Sequence, residues 1–324
     1  MSGTMNEFAE AEKAILGQVS PVTWPDAPPG VCEPDREIPC DICGSERNIE
    51  LWPKKNFSQS VRTVICEDCG LVFTNPQPDC YPLYKLGRNY ERYRMYGNWQ
   101  RYLEMMKSWK IQEPMAQTWA QHLNIGKGTR VLDFGSGNTG IGGLIAEKLD
   151  ARVVGCDLDP FAVEYSQKHW PKAEYFVGSY EDCAGEYDAI ILNQVLEHMQ
   201  SPKTTLLKLR ELLVGRIGIA VPSIDNPDDW YSGPTPPVDG LDRVLRKTHL
   251  YNFSVNSMRN LLGICGLELR YYFFDDDGGK QGNGCSMVTV AVRTDKPFTI
   301  VPENAHETRE RLLKWDKERR ECLK

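Results

Sequence analysis

A chain of 324 residues with 41% hydrophobic and 26% charged side chains has enough apolar surface for one large core or two smaller ones. Its formal charge of −7 argues against whole-surface attraction to nucleic acid, and no apolar run nears the roughly eighteen residues of a bilayer-crossing helix. Eleven cysteines, an odd number that includes two C-x-x-C pairs, suit a reducing compartment and a metal site better than a disulfide framework, so the expected location is cytoplasmic.

Residues 1–35 carry acids and lack a basic start ahead of an apolar core, so they do not read as a signal peptide. The Pro-rich stretch PVTWPDAPPG predicts a loosely ordered lead-in. Residues 36–80 hold CDICGS and CEDCGL, each C-x-x-C-G, with 22 residues between the pairs. Two such turns can set Cys40, Cys43, Cys66 and Cys69 tetrahedrally around one zinc, and the glycine after each second cysteine permits the positive φ of the turn. Four sulfur ligands leave no open position, so this metal is expected to be structural. A redox dithiol would need only one pair beside a βαβ unit, and four unrelated core cysteines would not repeat the turn.

Residues 81–125 read as a helical lid segment, aromatic and basic, with Pro114 expected to kink or split it. Eight aromatic residues (Tyr81, Tyr84, Tyr90, Tyr93, Tyr96, Trp99, Tyr102, Trp109) interleave with Lys and Arg, against only Glu91 and Glu104 between 81 and 110. Aromatic faces stack on sugars or bases and guanidinium groups bind phosphate, so an anionic acceptor fits; an amphipathic cover packed on the sheet is the plainer reading. From 126 to 296 strand-like runs (RVLDF, RVVGCD, EYFVG, YDAIILN, RIGIAV) alternate with helical ones (GIGGLIAEKL, PFAVEYSQKHW, SPKTTLLKLRELL). That alternation predicts an α/β fold, a parallel sheet wound with helices on both faces. PSIDNPDDWYSGPTPPVDG then reads as a lid or insertion, and SVNSMRNLLGICG as a helix capped by Ser254. LELRYYFF and SMVTVAVR follow as strands around DDDGGKQGNG, and 297–324 ends in a mixed-charge helix. No internal repeat is present.

VLDFGSGNTG, at 131–140, has the G-x-G-x-x-G spacing of nucleotide-binding turns, which alone is weak. A pyrophosphate at the following helix start would be repelled by Asp133, two residues ahead of Gly135, whereas a cationic amino group would suit it. Asp157 ends VVGCD, where a carboxylate can accept from both ribose hydroxyls. A nucleoside with an amino-acid tail satisfies both acids, and S-adenosylmethionine has that form.

These residues resemble the class I S-adenosylmethionine-dependent methyltransferases: VLDFGSGNTG is similar to their first motif, VVGCDLDP to the second, and YDAIILNQVLEHMQSP to their fourth strand and its turn. HLYNFSVNSMRNLLGICGLEL is similar to the family's late helix. With the cysteine knuckles and GLVFTNPQP, the chain looks closest to zinc-ribbon methyltransferases of carbohydrate and natural-product pathways. The resemblance implies a doubly wound, Rossmann-like seven-stranded sheet with an antiparallel last strand, joined to a small N-terminal zinc ribbon and a helical lid. It further implies that Asp133, Gly135, Ser136 and Gly137 line the methionine part of the donor and Asp157 the ribose. Leu158 and Ser179 would flank the adenine, and Asn193 would lie beneath the sulfonium.

Acceptor groups are expected beyond the carboxyl ends of the strands, where His198 (NQVLEHMQ) and His249 (RKTHLYNF) are candidates for removing a hydroxyl proton. In sugar C-methyltransferases of this type a Tyr and a Glu precede the corresponding His; here Arg246 and Thr248 stand at those offsets. The balance therefore favours an oxygen acceptor, a phosphorylated or nucleotide-linked sugar or glycan held in part by Arg243, Arg246 and Lys247. Asp225, Asn226, Asp228 and Asp229 raise a divalent-metal alternative, weakened by Asn193 and Gln194 where a carboxylate would be wanted. Sugar C-methylation, RNA modification and a non-catalytic scaffold are the competing readings. The sequence carries no signal of oligomeric state.

Overall fold

The structure is a computed structural model that describes residues 34–53, 61–78, 112–137, 139–225, 240–241, 245, 249–275 and 286–322. The lead-in up to 33, most of the aromatic and basic segment, the stretch 226–239 with Asn226, Asp228 and Asp229, Arg243, Arg246, Lys247, and 276–285 lie outside the described residues.

The cysteine-bearing module is built from β1 (Pro34–Arg36), β2 (Asn48–Pro53), β3 (Arg62–Cys66), β4 (Val72–Asn75) and β5 (Gln77–Pro78). β2, β3 and β4 pair antiparallel in sequence, and β1 pairs with β5. A further strand, β11 (Tyr251–Asn252), closes the free edge of β4. The sheet that carries the cysteines is thus completed by residues far along the chain.

The second sheet has seven strands: β6 (Arg130–Phe134), β7 (Arg152–Asp157), β8 (Glu174–Val177), β9 (Tyr187–Asn193), β10 (Leu213–Pro222), β12 (Leu267–Asp275) and β13 (Ser286–Arg293). Their spatial order is β12-β13-β10-β9-β6-β7-β8; β13 is antiparallel to both neighbours and the pairs from β10 to β8 are parallel. Alternation along the strands feeds two cores. Leu132, Phe134, Ile190, Leu192, Ile217 and Ile219 face one side; Val131, Ala189, Ile191 and Ala220 face the other. A strand buried on both faces reads as a nearly continuous apolar run, which is why YDAIILN and RIGIAV were recognisable.

Helices α1 (Gln112–His122), α2 (Ile141–Leu149) and α3 (Pro160–His169) cover the second face, and α4 (Pro202–Leu212) and α5 (Val255–Ile264) the first. Pro114 falls in the first turn of α1, where a missing amide hydrogen costs no helical bond. Trp119 of α1 is fully buried against Gly218 of β10, where any side chain would strike its ring. Ser254 caps α5 as expected, accepting from Ser257 N at 3.0 Å in a reciprocal capping box. β10 starts at Leu213, directly after α4, so its first residues belong to the strand where the helical pattern had claimed Leu213. The last helix, α6 (Ala305–Cys322), packs Ala305 and Leu312 on Leu51, Ile65 and Val72 of the cysteine module. Among the described residues no helix is long and apolar enough to cross a membrane.

Candidate active site

The chain passes from β6 outward to β7 and β8, then returns to β9 on the other side of β6. At such a switch point the loops leaving the carboxyl ends part and open a crevice. The loop after β6 and the turn after β9 face each other there. Gly135 has φ +69°, and a side chain on it would run into Val195, so the first loop must be glycine for both conformation and contact.

Asp133 is only 3% exposed; its Oδ2 accepts the Gly142 N–H of α2 at 2.9 Å. Burial pushes its carboxyl up to about 7, the charge of Asp157 adds to the rise, and the Gly142 amide opposes it. Asp157 Oδ2 accepts Gly137 N at 2.7 Å and its Oδ1 accepts Asp159 N at 2.9 Å, so it orders the glycine loop and keeps lone pairs for further donors. Gly135 N and Ser136 N both donate to Cys156 O, which lashes the loop to β7. Leu158 and Ser179 are half-buried on the same rim. The turn bearing Ser179 is held by Gly178 N donating to Asp157 O at 3.0 Å and by Asp182 Oδ2 accepting Ser179 N at 2.8 Å. Ser136 Oγ and Asn193 Oδ1 are buried without a partner among the described residues, two polar atoms at the crevice that fit a polar ligand. The eight sequence-chosen residues thus lie at the carboxyl ends of β6, β7 and β9 or on the loops that follow the strands there, at one end of the sheet.

On the β9 side, Gln194 takes φ +59° and the chain enters a 3₁₀ turn, Leu196–His198. His198 meets His249 edge to face, ring centroids 4.9 Å apart, although the two are far apart in sequence. Glu197, which sequence reasoning passed over, joins them: its Oε1 lies 3.7 Å from His198 Nε2. Its only signal in the sequence was its place beside His198; its burial shows only in the fold. Asp225, the described member of the acidic run, is engaged elsewhere: Oδ2 accepts Val255 N at 2.6 Å and Oδ1 pairs with Arg311 at 3.3 Å.

Away from the crevice, Cys40, Cys43, Cys66 and Cys69 bring their sulfurs within 4.8 Å of one another, with Cys40–Cys69 at 3.4 Å and Cys43–Cys66 at 3.5 Å. Four thiolates around a zinc stand about 3.8 Å apart, so the donor set and spacing fit that ion. Gly44 and Gly70 have φ +77° and +80°, and each donates its amide to the first cysteine of its knuckle, Cys40 O at 2.8 Å and Cys66 O at 2.9 Å.

Residues 125–251, which span the whole crevice, match the family model described as a methyltransferase domain. None of the curated proteins compared matches the chain. The 1,6-didemethyltoxoflavin-N1-methyltransferase of Burkholderia thailandensis, solved with 1,6-didemethyltoxoflavin and S-adenosylhomocysteine, is 16% identical, covers 75% of this chain and 100% of that chain, and has a TM-score of 0.50. The magnesium protoporphyrin IX methyltransferase of Synechocystis PCC 6803, solved with SAH, is 18% identical over 61% of this chain and 88% of that chain, TM-score 0.45. At such identities the likeness is one of fold. The family match across the crevice, with two acids and a glycine loop at its mouth, supports S-adenosylmethionine-dependent methyltransferase activity in residues 125–251.

Proposed function

We propose that the chain transfers the donor's methyl group to an oxygen of a small, polar, anionic acceptor, such as a phosphorylated or nucleotide-linked sugar or glycan. The observation that carries this reading is the convergence of His198 and His249 beside the turn that abuts the glycine loop. Methyl transfer from a sulfonium is an in-line displacement, so the protein must align the two partners and have the acceptor's proton removed. Asp133, Gly135, Ser136 and Gly137 hold the methionine part, Asp157 the ribose, Leu158 and Ser179 the adenine, and Asn193 lies beneath the sulfonium. The acceptor oxygen approaches from the side of His249 and His198. Arg246 and Thr248, in place of the Tyr and Glu of sugar C-methyltransferases, favour oxygen over carbon. The basic, aromatic segment 81–110 favours an anion. Cys40, Cys43, Cys66 and Cys69 hold a structural zinc, and the reduced thiols they require favour the cytoplasm.

Incubation with isotopically labelled methyl donor and a panel of sugar phosphates, nucleotide sugars, glycans and RNA tests the acceptor. Label in an O-methyl group of an anionic sugar is expected; label confined to RNA, or to carbon, rejects this acceptor class. His249→Ala should lower turnover at least about 100-fold while SAH affinity stays within about twofold. An unchanged rate removes His249 from the chemistry.

A further inference from the structure

Glu197, His198 and His249 are 1%, 7% and 4% exposed, and one ligating atom of each lies within 4.8 Å of the other two. Their backbones are tied from three directions. His198 N donates to Val195 O at 3.0 Å, Leu250 N to Glu197 O at 2.8 Å, Thr74 Oγ1 to His249 O at 3.2 Å, and Thr74 N to Leu250 O at 2.8 Å. Two imidazole nitrogens and one carboxylate oxygen form a donor set that suits manganese, iron or zinc rather than the all-oxygen surroundings of calcium. Around a metal at about 2.1 Å, ligand atoms stand roughly 3.0–3.5 Å apart, so the side-chain tips need move by only about 1 Å.

We propose that Glu197, His198 and His249 bind a divalent transition-metal ion, distinct from the ion of the four cysteines, that takes the acceptor oxygen as a further ligand. Three protein ligands leave coordination positions open, and the site adjoins Val195, which touches the loop of the methyl donor. This rests on the methyl-transfer reading above and replaces proton removal by an imidazole with Lewis-acid activation. The coordinated hydroxyl loses its proton to solvent, and its oxygen lone pair bonds to the methyl carbon. The carbon–sulfur bond breaks and its electron pair stays on sulfur, leaving a neutral thioether. The prediction for His249→Ala above holds in either case, because that residue is needed in both.

The test uses the full chain with one zinc bound per four cysteines, titrated in turn with Mn²⁺ (loss of the free-ion EPR signal) and Co²⁺ (visible absorption without sulfur charge transfer). One further ion per chain is expected. Its affinity should fall at least tenfold in Glu197→Gln and in His249→Ala, with zinc content unchanged. Uptake of neither ion by the wild-type chain overturns the proposal, as does uptake that both variants leave intact; the wild-type titration decides if a variant fails to fold. Calorimetry with SAH on the same samples separates the two readings. SAH binding without a second metal sinks this site alone, whereas a wild-type chain that ignores SAH sinks the methyltransferase reading beneath it.

Discussion

In the proposed reading Asp133 selects the nucleoside, because its carboxyl sits behind the glycine loop with almost no water to screen it. A carboxyl near 7 in the folded chain and near 3.8 unfolded favours the protonated fold. That stability is complete below about pH 4 and is lost as pH rises through about 7, at most about 4 kcal/mol for a shift of this size. An ammonium group brought to the crevice lowers this pKa, so donor binding should release a proton near pH 6–7. Calorimetry of SAH in buffers of different ionisation enthalpy measures it. Asp133→Asn should abolish the proton release and flatten the stability slope between about pH 4 and 7; an unaltered slope would place the buried charge elsewhere. Glu197 makes a related point about legibility. A buried acid in LEH looks like any helix-surface glutamate until the fold shows that the turn is buried, whereas Asp133 and Asp157 were legible because each ends an apolar strand at a fixed offset from the glycines.

Asp41 lies between the two cysteines of the first knuckle yet serves an element of the other sheet. Its Oδ1 accepts the Ser201 hydroxyl and its Oδ2 the Lys203 N–H, each at 2.8 Å, at the start of α4. Amides at a helix start lack intrahelical partners and the helix dipole favours a negative charge there. Asp41→Ala should therefore cost about 1 kcal/mol in urea denaturation, with an unchanged slope and unchanged zinc content. A midpoint identical to wild type would show that Ser201, which itself accepts Thr204 N at 3.1 Å, caps α4 alone. Elements such as β6, β9 and α5 could be read from the chain because their periodicity is local: strands buried on both faces, a helix opening on a Ser-x-x-Ser cap. β11 could not, since two residues carry no period and its existence depends on the free edge of β4.

Across the whole molecule, the cysteine module and the seven-stranded sheet share one core: Cys40, Ile42, Leu71 and Phe73 pack in the same cluster as Leu132, Ile190, Leu209 and Met258. β11 begins two residues after His249, and Thr74 of β4 bonds both His249 and Leu250. The module thereby positions His249, the residue proposed above for the acceptor side. Stripping the zinc proposed at the four cysteines with a chelator should lower the Tm of one common unfolding transition and depress methyl transfer, with readdition of zinc restoring both. Two separate calorimetric transitions, or full activity in the stripped chain, would mean the two sheets fold and act independently.

Alternating apolar runs already define the fold class, and a glycine loop guarded by two acids already points to the donor, because each depends on neighbours within one turn or one strand. Only the tertiary structure could bring Glu197 and His198 to His249, set Asp41 beneath α4 and lay β11 on β4. Those contacts join residues that local periodicity leaves unrelated, and they form because both sheets bury their apolar faces in one core.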